Sequence, residues 1–76
     1  MSHNSDEKLV YMANQIATAF AQQKHDAAVV ATRTHIAKFW DPRMRAKITA
    51  HAAAGGAGLS PIAKEAVDGL PPVKAA

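Results

Sequence analysis

Four histidines are the first side chains in this sequence that could do chemistry, at positions 3, 25, 35 and 51. Three or four of them converging would make a zinc site. Their spacing argues otherwise: His3 lies in a polar leader, His25 in a connection, and His35 and His51 on separate helical stretches, with no histidine four residues from another. Nucleophilic catalysis has little to work with. Ser2, Ser5 and Ser60 fall in the leader or at helix starts, where a hydroxyl caps backbone N–H groups. Asp41 reads as a helix cap, and Glu65 and Asp68 flank an exposed helix side, so no carboxylate pair is set for acid–base work. Gly55, Gly56 and Gly58 lack the preceding strand and the following Gly-Lys-Ser/Thr that a phosphate loop needs. In so short a chain, a concave pocket of several hundred Å3 is not expected. The sequence therefore assigns no catalytic, cofactor-binding or metal-binding residue.

The segment Phe39-Trp40-Asp41-Pro42-Arg43-Met44-Arg45 points instead to recognition. Adjacent aromatics on a helix point about 100° apart, so both are covered only if something shields a wide face. Phe39 is expected in the chain's own core. Trp40 either joins it or anchors a partner, since Trp and Arg dominate binding energy at interfaces. Phe39, Trp40, Arg43, Met44 and Arg45 are the candidate partner-binding residues.

The elements that position these residues are helical. Leu9, Met12, Ala13, Ile16 and Phe20 fall on one arc of a helix over about 6–23, with Tyr11, Asn14, Gln15, Thr18 and Gln22 opposite and Ser5 or Asp6 as cap. Asp26 reads as the cap of a second helix through residue 40, with Val29, Thr32, Ile36, Phe39 and Trp40 on one side. Asp41 caps a third helix that starts at Pro42, carries Met44, Ile48, His51 and Ala52 inward, and ends at Gly55-Gly56. Ser60-Pro61 opens a short fourth helix with Ile62, Ala63, Ala66, Val67 and Leu70 buried, ended by Gly69. The fold class is all-α: a small bundle of three longer helices plus one short C-terminal helix. Residues 1–76 form one small domain, ordered over about 6–70, with a flexible leader at 1–5 and tail at 71–76.

Composition fits an accessory role. With 76 residues and no cysteine, the chain lacks disulfides, thiolate metal sites and cysteine nucleophiles. Of its apolar residues 18 are alanine, which favours helix but buries little area, so a partner surface is expected to complete the core. The net charge of +3 lies within residues 26–51, where Arg33, Lys38, Arg43, Arg45 and Lys47 face Asp26 and Asp41. The start, MSHNSDEK, is polar, and no apolar run is long enough for a membrane span, so the expected location is cytoplasmic.

Three blocks carry a family resemblance: Leu9-Val10-Tyr11-Met12-Ala13-Asn14-Gln15-Ile16-Ala17, His35-Ile36-Ala37-Lys38-Phe39-Trp40-Asp41-Pro42-Arg43-Met44-Arg45, and Gly55-Gly56-Ala57-Gly58-Leu59-Ser60-Pro61. In order and spacing, over roughly residues 8–70, the chain resembles the delta subunit of soluble NAD-dependent, molybdenum-containing formate dehydrogenases. The resemblance implies an accessory subunit without cofactor or catalytic residue. Its large partner would hold molybdopterin guanine dinucleotide and iron–sulfur clusters and oxidise formate to CO2, and other subunits would pass electrons through clusters and FMN to NAD. The alternatives are a small basic helical DNA-binding module and a transient maturation chaperone for the molybdenum subunit. Stoichiometry, and the face that meets the partner, are not legible from sequence.

Overall fold

The computed structural model describes residues 4–73, which form four helices in the order α1 (Asn4–Phe20), α2 (His25–Phe39), α3 (Pro42–Ala53) and α4 (Pro61–Asp68). Residues 1–3 of the expected leader and 74–76 of the expected tail lie outside the described residues.

Helix α1 starts earlier than expected, so Ser5 and Asp6 lie inside it rather than capping it. Asp6 and Glu7 occupy its first turn, where negative charge meets the positive end of the helix dipole. Leu9, Ala13 and Ala17 are buried at a spacing of four, with Val10, Met12 and Ile16 packed beside them. After Phe20, a turn closed by the Gln23 amide on the Phe20 carbonyl (3.0 Å) reverses the chain.

Helix α2 starts one residue before the expected cap. Lys24 occupies the cap position with no side-chain hydrogen bond, and Asp26 sits in the first turn. Asp26 still faces the positive helix end from there, which accounts for the sequence signal. The inward stripe is Ala28, Thr32, Ile36 and Trp40, again spaced by four, with Val29 beside it.

The two proline starts follow the sequence reading. Asp41 accepts from the Met44 amide at 2.9 Å, and Ser60 Oγ accepts from the Ala63 amide at 3.3 Å, each just before a proline that needs no N–H partner. Helix α3 ends in a Schellman turn: the Gly55 amide donates to the Ala52 carbonyl (3.1 Å) and the Gly56 amide to the His51 carbonyl (2.9 Å). Gly55 and Gly56 hold φ of 117° and 65°, a left-handed region that side chains disfavour.

Helix α2 packs on α1 and α4, and α3 packs on α1 and α4, so α4 closes the bundle. The shared core is Leu9, Ala13, Ala17, Ile36, Trp40, Ile48, Ala52, Ala63, Val67 and Leu70. Trp40 is by far its largest member. Alanines elsewhere in the cluster let the helices approach closely but contribute little buried area.

Candidate partner-docking corner

The five candidate residues all lie on the corner where α2 meets α3, but Phe39 departs from expectation. Phe39, expected in the core, is 70% exposed, whereas Trp40, for which a core place and a partner anchor were both open, is 5% exposed and takes the core place. The spacing explains the difference. Trp40 lies four residues beyond Ile36 and so continues the inward stripe, while Phe39 is rotated about 100° from it. At the last residue of α2, no neighbouring helix reaches far enough to cover the phenyl ring.

The other three candidates divide similarly. Arg43 is exposed, and Met44 is half-buried against the core. Arg45 is half-buried and donates from Nε to the Trp40 carbonyl at 3.1 Å, so this guanidinium closes the end of α2 rather than reaching outward. Charge-assisted bonds of that kind satisfy carbonyls that a helix end leaves open.

Phe39 does not stand alone. Its ring lies 4.7 Å from that of His35 at a tilt of 42°, and His35 in turn meets Phe20 edge-on at 6.5 Å. Rings at these separations attract. The result is a short ladder running from the end of α1 across α2 to the corner.

Elsewhere, the polar side chains that could react are engaged in holding helices together. Asn14, expected on the polar side of α1, is half-buried and clamps the loop before α4 from both ends of its amide. Its Nδ2 donates to the Gly58 carbonyl and its Oδ1 accepts from the Ser60 amide, both at 2.9 Å. His51 Nε2 lies 2.7 Å from the Ala57 carbonyl, so this nitrogen carries the proton and donates. Arg33 reaches the last turn of α4, with Nε 3.1 Å from the Ala66 carbonyl and Nη2 3.2 Å from that of Glu65. His25 Nε2 pairs with Glu65 Oε1 across the α2–α4 seam. The hydrogen bond that His25 donates to Glu65, then the negative charge of Glu65, raise the pKa of His25 above the ordinary histidine value. Sequence reasoning missed Asn14 and Arg33. Nothing local marks them, because both act on chain more than thirty residues away.

The hollows on the surface are open to solvent rather than enclosed. One of about 480 Å3 is lined by Asp6, Glu7, Val10, His51, Ala57 and Gly58; another of about 350 Å3 lies beside His25 and Pro61; a third of about 410 Å3 is lined by Asp41, Pro42 and Arg43. Among the described residues, no three His, Cys, Asp or Glu side chains come together as a metal site, and no helix is long and apolar enough to cross a membrane.

The class this defines, among the described residues, is a small four-helix protein in which several polar side chains brace helix ends and loops, with an aromatic ring exposed at the α2–α3 corner. The family model of the NADH-dependent formate dehydrogenase delta subunit, FdsD, matches residues 8–67, and the chain belongs to that family. All three sequence blocks that suggested the resemblance overlap the matched span. Comparison with curated proteins and with solved structures returned no match.

Proposed function

We propose that the chain is a non-catalytic, cytoplasmic accessory subunit that binds the large molybdenum-containing subunit of an NAD-dependent formate dehydrogenase and stabilises the complex or assists its assembly. The partner subunits carry the molybdopterin guanine dinucleotide, iron–sulfur clusters and FMN, and the large one oxidises formate to CO2. Membership of the delta-subunit family supports the complex. One structural observation carries the non-catalytic part: Asn14, Arg33, Asp41, Arg45, His51 and Ser60 each hold a helix end or a loop of this chain through a backbone partner. A group tied to a backbone partner in this way is poorly placed to take up a reacting one.

The mechanism is linkage. A subunit that binds only the assembled form shifts the equilibrium toward that form, by about 2.7 kcal/mol when present at a hundred times its dissociation constant. Affinity-tagged chain should therefore co-purify with a large, molybdenum-containing protein. Deleting the chain should lower the yield of active complex while leaving turnover per molybdenum atom in the surviving complex unchanged. Recovery of the chain only as a free monomer under gentle conditions contradicts the proposal.

A further inference from the structure

We infer that the α2–α3 corner is the docking edge, with Phe39 as apolar anchor and Lys38 and Arg43 as charged rim, and that it fits an apolar pocket rimmed by carboxylates on a partner protein. The inference rests on the reading of the chain as a subunit and adds the surface and the chemistry of what it meets.

Three observations converge on this corner. The first is the ring itself: a phenyl left 70% exposed is the most exposed of the large hydrophobic side chains among the described residues. Its contact with His35, which Phe20 backs, restricts the ring before any partner arrives. Side-chain ordering is part of what association costs, so an anchor already ordered binds more tightly for the same contact area.

Rigidity is the second. Trp40 is buried immediately behind Phe39, Arg45 holds the Trp40 carbonyl, and Asp41 holds the Met44 amide at the start of α3. These contacts brace the chain turn that carries the ring, as a precise interface requires.

Charge is the third. Asp6 and Asp68 lie against Lys47 (3.8 Å) and Lys64 (2.7 Å), and Glu65 pairs with His25. Lys38 and Arg43 are both exposed, and among the described residues neither enters an ion pair. The one acid at the corner, Asp41, is turned onto the Met44 amide. Two exposed cations on the segments that meet at this corner, Lys38 next to Phe39 in sequence and Arg43 in the first turn of α3, favour carboxylates opposite, which would steer encounter and fix register. They also disfavour a second copy of this chain, because a symmetric contact would bring like-charged rims together. Nucleic acid is a weaker fit. Strand-tracking surfaces carry several stacking aromatics along a basic groove, and this corner exposes one large aromatic ring, Phe39.

The test uses the full chain and a formate dehydrogenase complex produced without it, with binding followed by interferometry at low and at raised salt. Phe39→Ala should weaken binding roughly tenfold or more, as loss of an interface anchor does. The double charge reversal Lys38→Glu/Arg43→Glu should slow association and invert its salt dependence. Circular dichroism should show both variants as helical as the parent, since the three residues are exposed. If both variants bind as tightly as the parent, this inference is overturned while the subunit reading stands. If the parent itself fails to bind, both fall. Retention of the parent on duplex DNA instead, abolished by the same variants, would overturn the inference and reassign the corner to nucleic acid.

Discussion

The guanidinium of Arg33 occupies the space that a side chain on Gly69 would need: a Cβ at Gly69 would lie 2.3 Å from Nη2 and 2.4 Å from Cζ. From that position, Arg33 donates to the Ala66 and Glu65 carbonyls and so closes the end of α4 from α2. Gly69 has a φ of −93° and a ψ of 2°, so its value here lies in close approach and not in unusual backbone geometry. Gly69→Ala should displace the Arg33 guanidinium, the flexible end of a partly exposed side chain, and cost about 1 kcal/mol, the net worth of a typical hydrogen bond. Chemical denaturation measures it, and a midpoint equal to the parent's would show that Arg33 contributes nothing there.

Asn14 ties α1 to the loop that launches α4, donating to Gly58 and accepting from Ser60. Asn14→Ala should free the Ser60 amide, whose hydrogen exchange should accelerate by more than tenfold, with a loss of roughly 1–2 kcal/mol in stability. Asn14→Asp keeps the acceptor and should protect the Ser60 amide more than alanine does. Exchange at Ser60 indifferent to both changes would remove the clamp from the account.

The His25–Glu65 pair gives stability a pH dependence of defined sign. Glu65 raises the His25 pKa in the folded chain above the ordinary value of 6.5, so the folded state binds the proton more tightly than the unfolded state. The stabilisation is complete below the unfolded value and is lost as pH rises through the raised folded value. Thermal midpoints should therefore fall as pH climbs from about 6.5 through that higher value, and His25→Gln should flatten this slope. A slope of the same size in the variant would assign the titration elsewhere.

Phe39 and Trp40, neighbours in sequence, should separate cleanly on substitution. Trp40→Ala empties the largest part of a thin core and should cost about 3–5 kcal/mol. That is comparable to the whole stability expected of so small a core, about 3–5 kcal/mol, so the variant should be largely unfolded at 25 °C. Phe39→Ala should change stability by no more than about 0.5 kcal/mol. Comparable helical content in the two variants by circular dichroism would contradict the packing described.

Much of the fold was legible because its signals are local. Asp41-Pro42 and Ser60-Pro61 each place a cap before a residue that needs no donor, and Gly55-Gly56 supplies the left-handed geometry of a Schellman turn. The places of Phe39 and Trp40 were legible only in part. The step of four from Ile36 favours Trp40 inward, but whether Phe39 is also covered depends on how far the neighbouring helices reach. Asn14, His25 and Arg33 were opaque for the same reason, since each finds its partner at least thirty-two residues away. The start of α2 was misplaced because Asp26 favours a helix N-terminus from the first turn as well as from the cap.

Dependence on a larger partner is the centre of the account, and native mass spectrometry of the formate dehydrogenase complex, isolated gently from cells that make it, tests it most directly. The expected result is an assembly whose mass includes this 8.0 kDa chain and which, on activation, releases it from the molybdenum-containing subunit. An intact, active assembly lacking the chain, with all of the chain found as a free monomer in the same extract, would contradict it.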